Sequence, residues 1–213
     1  MGIRKTFSEI NYFFDHYLTK GVKWLLYINS IVFFLQAILY PINRDLFPTL
    51  FSVSVAYTIK HFFIWQIITY MFLHLSGAHF IFNMLVLWMF GIQLEKYWGT
   101  RAFVKYYLIT GIGAAIFHLI VSVILAKPDS YMLGASGSLY AVLLAFAYYY
   151  PDTYLLFNFV MPIKAKYYII IVGLLAFFSS LETGGSGIAH LTHLGGLLTG
   201  FIYLKNLRFF NKL

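Results

Sequence analysis

The sequence predicts an all-α polytopic membrane protein: a bundle of six transmembrane helices with both termini in the cytoplasm. Three observations predict it. Of 213 residues, 61% are hydrophobic and only 10% charged, where a soluble domain carries about 25% charged residues. The apolar residues gather into runs of spanning length, about 20 residues each. Lys and Arg cluster on alternate sides of those runs.

The elements follow in order. Residues 1–20 read as an amphipathic segment on the membrane surface, rich in Phe and Tyr. Arg4, Lys5, Glu9, Asp15 and Lys20 leave no clean apolar core there, so no cleavable signal peptide is expected. Residues 21–206 form the six-helix domain, and residues 207–213 a basic cytoplasmic tail. The first span covers about 24–41 and ends near Pro41. The apolar stretch 62–94 is too long for one upright span of about 20 residues. Ser76-Gly77 offers a break, with Ser76 as helix N-cap. The second span is therefore 77–94. Phe62 to Leu75 lies in or near the interface, which suits Trp65 and Tyr70.

The third span, 102–126, closes at Lys127-Pro128-Asp129. The fourth, 134–150, stops at Pro151-Asp152. The fifth is 166–181. Glu182 to Gly187 makes a Gly-rich turn into the sixth, 188–204. No repeat or second domain is legible, and the loops are too short to hold one.

Orientation follows from basic residues. With the N-terminus inside, the inner segments hold Arg4, Lys5, Lys20, Lys23, Lys96, Arg101, Lys105, Lys164, Lys166, Lys205, Arg208 and Lys212. The outer loops hold only Arg44, Lys60 and Lys127. The net charge of +8 thus orients the chain in a bilayer, and nucleic acid is not needed to explain it. Cys is absent, which excludes disulfides and thiolate metal sites. Neither paired intramembrane charges nor broken helices in matching halves are present, which argues against a transporter.

This orientation makes spans two, four and six run from outside to inside. His79, Ser136 and His193 each sit a few residues into their spans. At 1.5 Å per residue all three lie within about 10 Å of the outer end. Polar residues at that depth cost free energy and mark function. Ser136 needs a base to become a nucleophile, and His193 stands at the right level. The seven carboxylates, Glu9, Asp15, Asp45, Glu95, Asp129, Asp152 and Glu182, all lie at span ends or in loops. A Ser–His dyad is the reading, not a triad. Tyr140, one helical turn after Ser136, is placed to pack against His193.

Oxyanion donors come from the same depth. His79 and Asn83 are spaced i, i+4 and share one face. The Ser136 backbone N–H at a helix start adds a third donor. Each such donor is worth about 3 kcal/mol in a transition state. Gly137 beside Ser136, and Gly196 and Gly200 on the His193 face, are small enough for close helix approach. His190 reads as a supporting residue one turn above His193. A zinc site built from His74, His79, His190 and His193 lacks a His-Glu-x-x-His and a nearby carboxylate base, so no metal or other cofactor is expected. His16, His61 and His118 have no partner legible in the sequence.

With these residues in hand, the chain resembles a rhomboid intramembrane serine protease, from about residue 20 to 205. The Gly-x-Ser-Gly motif stands as Gly134-Ala135-Ser136-Gly137. The histidine motif of the last core span matches His193-Leu194-Gly195-Gly196, with Gly200 following. The second-span His-x-x-x-Asn matches His79 to Asn83, with the upstream histidine at His74. The ring against the catalytic histidine falls on Tyr140. The acidic residue at the inner end of span two falls on Glu95, followed by Gly99. One departure is the first-loop Trp-Arg pair, here Trp65-Gln66.

The resemblance implies the minimal six-span form of the family, with the active site opening to the outer face; the short loops and positive-inside bias fit a bacterial inner membrane, with an organelle membrane as the alternative. It implies hydrolysis of peptide bonds in or near transmembrane segments of membrane proteins, with small residues at the cleaved bond. Substrate would approach laterally past span five, with Glu182 to Gly187 as a cap. The other class is a rhomboid-like pseudoprotease that binds membrane helices without cleaving them. Such relatives typically lack the serine or the histidine, and both are present here.

Overall fold

The computed structural model describes residues 17–157, 160–180 and 187–206, with side chains at 179–180 and 187–190 left aside. The predicted amphipathic segment before residue 17, the turn at 182–187 up to Ser186, the His190 side chain and the tail 207–213 lie outside the described residues. The fold is mostly helical. Helices α1 (Lys20–Leu39), α4 (Gly77–Trp98) and α5 (Thr100–Ile124) are long and apolar enough to cross a bilayer. Helices α6 (Ser136–Tyr149), α7 (Ala165–Ser180) and α8 (Gly187–Lys205) complete the bundle, and short helices α2 (Leu46–Phe51) and α3 (Gln66–Thr69) lie in the first connection.

Helix α1 starts at Lys20, before the predicted 24, because its free N–H groups find an acceptor on another helix. The buried Glu95 carboxylate accepts from Gly21 N at 2.7 Å and Val22 N at 2.8 Å. It also accepts from Thr19 Oγ1 at 2.5 Å and Thr100 Oγ1 at 2.6 Å. An anion at a helix N-terminus satisfies orphan donors and opposes the helix dipole. One carboxylate thereby ties α1, α4 and the start of α5.

Residues 40–76 form a hydrogen-bonded connection at the other end of the bundle. Gln66 is fully buried there. Its Oε1 accepts from Thr58 Oγ1 at 2.6 Å, and its Nε2 donates to Thr49 O at 2.8 Å. Trp65 Nε1 donates to Leu50 O at 2.7 Å. A neutral amide with one donor side and one acceptor side meets the loop's needs without burying a charge. The break at Ser76 is as read from the sequence: its Oγ accepts from His79 N at 3.2 Å and caps α4. A π-helical stretch, Leu87–Gly91, widens α4 before Gly99 turns the chain with φ +82°.

Helix α8 is central, packed on α5, α6 and α7. Its glycines permit this. A Cβ at Gly195 would lie 2.7 Å from the Phe117 ring of α5, and one at Gly200 would lie 2.9 Å from Ala141 Cβ of α6. A Cβ at Gly196 would land on the Gly137 carbonyl oxygen.

The all-α expectation needs one correction. Between α6 and α7 the strands β1 (Tyr154–Phe157) and β2 (Met161–Lys164) form a two-stranded antiparallel hairpin, with Leu156 opposite Pro162. The residues are largely aromatic and aliphatic, and Pro162 needs no ladder donor in so short an edge. At its base Asp152 Oδ1 accepts from Lys166 Nζ at 2.9 Å and Lys164 Nζ at 3.0 Å. These two bonds, Lys166 first, hold the Asp152 carboxyl below its ordinary value.

Apolar side chains cover the outside of the bundle, among them Phe34, Ile38, Ile81, Phe82, Ile120 and Ile124. A continuous apolar belt of this kind suits lipid, not water.

Candidate active site

The site is built where α6 begins. Gly134 has φ +114°, a conformation that only glycine adopts without strain. A Cβ there would also lie 2.7 Å from His79 Cε1. Gly134 N donates to Tyr70 O at 2.8 Å, and the segment before it is pinned by an antiparallel bridge between Met132 and Val53. The turn delivers Ser136 as the first residue of α6. Its backbone N–H is therefore one of the helix donors with no intrahelical acceptor.

Ser136 Oγ lies 2.9 Å from His193 Nε2, across 57 residues of sequence. For Ser136 to donate, Nε2 must be bare and Nδ1 must carry the ring hydrogen. Tyr140 stacks on the His193 ring, with centroids 4.4 Å apart and planes 7° from parallel. The stack fixes the ring plane, a task a carboxylate performs in a triad. The pair is reachable because Gly196 rests on Gly137. Gly137 itself faces Ala114 Cβ, 2.8 Å from where its own Cβ would be.

His79 and Asn83 face Gly134 from α4. The positions of His79 Nε2 and Asn83 Nδ2 are 3.0 Å and 3.8 Å from a Cβ built on Gly134. Leu75 N approaches His79 Nδ1 at 3.4 Å, which makes Nδ1 the acceptor and leaves Nε2 as the N–H. Asn83 Nδ2 is buried with no hydrogen-bond partner among the described residues. A buried amide donor left unpaired costs about 1–3 kcal/mol.

His74 stands next to His79, with ring centroids 5.2 Å apart. Burial, aided by the neighbouring His79, pushes its imidazole down to about 4, so it is neutral at physiological pH. The His74 backbone N–H donates to Gln36 Oε1 of α1 at 3.0 Å. Beside it a cavity of about 370 Å³ opens among Phe33, Phe47, His74, Leu75, Ser76 and Leu133.

The structure thus brings Ser136, His193, Tyr140, Gly134, Gly137, Gly196, His79 and Asn83 to one place, with His74 at its edge. Gly200 lies one turn further along α8, against Ala141 and the Tyr106 hydroxyl. His190 lies outside the described side chains. Sequence reasoning missed the buried ring of His118 and its partner Thr192, because neither falls in a recognisable spacing.

The bundle therefore sets a serine and a histidine side by side, close to the buried amide nitrogen of Asn83. The chain belongs to the rhomboid family: its residues 61–208, more than half of it, match the family model for the Rhomboid domain. It is 31% identical over 143 residues to Rhomboid protein 1, mitochondrial, of Saccharomyces cerevisiae, covering 62% of this chain and 38% of that one. It is 31% identical over 137 residues to Rhomboid protease GluP of Bacillus subtilis, covering 64% and 25%. A shorter stretch of 53 residues is 42% identical to Rhomboid protease AarA of Providencia stuartii, covering 25% and 19%. The chain spans well under half the length of these relatives. Family and apolar helices together make it an integral membrane protein.

Proposed function

We propose that this chain is an intramembrane serine endopeptidase that cleaves transmembrane proteins through a Ser136–His193 dyad. The observation that carries the reading is the 2.9 Å contact between Ser136 Oγ and His193 Nε2, under the stacked ring of Tyr140. The family and its protease-named relatives support it.

In this reading Ser136 Oγ attacks the scissile carbonyl carbon as its proton passes to His193 Nε2. The C–O bond forms and the carbonyl π electrons move to oxygen. The oxyanion accepts from His79 Nε2–H, Asn83 Nδ2–H₂ and the Ser136 N–H. The C–N bond then breaks, and His193 gives its proton to the departing amine. Water attacks the acyl-serine, His193 takes a water proton, and Ser136 is released with its hydrogen restored.

The architecture we assign is six spans, formed by α1, α4, α5, α6, α7 and α8, with both termini in the cytoplasm and the dyad opening outward. The distribution of Lys and Arg supports this orientation. Residues 1–20 act as a surface segment, 21–206 as the protease domain and 207–213 as a basic tail. The membrane we assign is a bacterial inner membrane. The substrate is a transmembrane helix unwound near its outer end, and the 370 Å³ cavity beside His74 suits one of its side chains. Its path is lateral, between α4 and α7. Among the described residues α7 packs chiefly on α6, α8 and the hairpin, and α4 is not among its main neighbours.

The test is cleavage of a single-span substrate in proteoliposomes by the protein and its Ser136→Ala variant. Cleavage by the parent alone, insensitive to chelators, supports the reading. Cleavage by neither, with the parent folded and binding the substrate, moves the assignment to a helix-binding pseudoprotease. Cysteines engineered to tether α4 to α7 test the path: undiminished cleavage by the cross-linked protein sinks lateral access.

A further inference from the structure

One buried histidine has no place in this chemistry. His118, on α5, is wholly excluded from solvent. Its Nδ1 lies 3.1 Å from Thr192 Oγ1 on α8, and its Nε2 lies 3.1 Å from the carbonyl oxygen of Ser130. Ser122 Oγ approaches Nε2 at 3.4 Å. A backbone carbonyl can only accept, so Nε2 carries the hydrogen. Nδ1 is then bare, and the Thr192 hydroxyl donates to it. One planar ring joins three parts of the chain: α5, α8 and the segment that leads to the nucleophile.

Both of its partners are neighbours of the dyad. Thr192 immediately precedes His193. Ser130 begins the run that passes through Met132, held by Val53, and Gly134, held by Tyr70, to Ser136. Adjacent helical residues point about 100° apart, and the contacts of α8 follow that division. Thr192, Gly195 and Thr199 face His118, Phe117 and Gly113 of α5. His193, Gly196 and Gly200 face Ser136, Gly137 and Ala141 of α6. Holding Thr192 therefore sets the rotation of α8, and with it the direction of His193. A side-chain tip lies about 5–6 Å from the helix axis, so a turn of about 10° carries it through about 1 Å. A misplacement of that size costs about a hundredfold in rate.

We propose that His118 is a positioning residue of the dyad, fixing the rotation of α8 and the nucleophile segment in one contact. The proposal rests on the protease reading. A leucine at 118 fills the space and removes both bonds. A glutamine keeps one donor and one acceptor. Thr192→Val removes the other end of the link.

The test uses the full chain in proteoliposomes. For each variant it measures kcat and KM on a single-span substrate, the rate of Ser136 labelling by a fluorophosphonate, and Tm. The expected result is a ten- to hundredfold fall in kcat and in labelling rate for His118→Leu, with KM unchanged. Thr192→Val falls in the same way. The double variant is no worse than His118→Leu alone, because that variant has already lost the bond to Thr192. His118→Gln and Thr192→Ser recover most of the rate. His118→Leu with parental kcat and labelling overturns the proposal. So does a His118→Gln as slow as His118→Leu, since the ring's two bonds would then not be what matters. A parent protein that neither cleaves nor labels overturns the protease reading and this role with it. A parent that labels normally beside unaffected variants overturns the role of His118 alone.

Discussion

Adding one methyl group to Gly196 should disable the proposed activity without touching a reacting atom. In Gly196→Ala the new carbon falls on the Gly137 carbonyl oxygen and within 2.9 Å of its carbon. Ordinary carbon contacts are about 3.5–4.0 Å, so α8 and α6 must separate by about 1 Å. The contact is backbone against backbone, and no side chain can swing aside. Ser136 Oγ and His193 Nε2, one turn away, start at 2.9 Å. An added 1 Å takes them to about 3.9 Å, past the reach of a hydrogen bond. The expected loss is about a hundredfold in kcat, with about 1–3 kcal/mol of overpacking cost to stability. Gly196→Val, with two further carbons, should abolish activity. The assay is cleavage of a single-span substrate alongside fluorophosphonate labelling of Ser136, each normalised to folded protein by thermal unfolding. Parental cleavage and labelling by Gly196→Ala would refute the reasoning, because the backbone contact would then not set the dyad distance.

Asn83→Ala should lower kcat about 10²–10³-fold at unchanged KM, and leave Tm equal or higher, because it removes a buried donor with no partner among the described residues; an unchanged kcat removes Asn83 from the proposed oxyanion site. Tyr140→Phe should keep the stack on His193 and nearly full activity, whereas Tyr140→Ala should lose it and slow kcat about three- to tenfold, in line with about 0.5–1.5 kcal/mol for a stacked pair. Glu95→Ala should cost about 3 kcal/mol or more in unfolding measurements, because Gly21 N and Val22 N lose a charged acceptor, while kcat per folded molecule stays near parental. The Asp152 clamp has a depressed folded-state carboxyl value, so its contribution is full above the unfolded value of about 3.9 and fades as pH falls through the folded one. Hydrogen exchange in the 154–164 hairpin should therefore quicken with acidification into that range in the parent, and Asp152→Asn should show no such dependence.

Much of this protein was legible because membrane helices announce themselves locally. Long apolar runs fix where helices lie, since every backbone group in lipid must bond within its own segment. Ser76 as a cap needed only a side-chain oxygen three residues before His79. The proximity of Gly134 to His79 was not legible, because it depends on a positive φ and on the approach of α4. The hairpin at 154–164 was also missed: strands of four residues carry too little periodicity to separate from loop. Gln66 read as a departure from a family pattern. Its bonds to Thr58 and Thr49, both on the loop it closes, show a neutral amide stitching that loop.

By itself the sequence determined the apolar segments, their breaks and the short list of side chains able to do chemistry. These depend on the identity of a residue and its near neighbours. Only the tertiary structure decided which of those side chains meet. Ser136 and His193 are 57 residues apart, and their distance depends on how far glycine lets two backbones approach. The Asn83 amide nitrogen, unpaired among the described residues, and the three-way bond of His118 are likewise properties of packing. A hydrogen-bond partner is assigned by the whole fold, and no spacing along the chain records it.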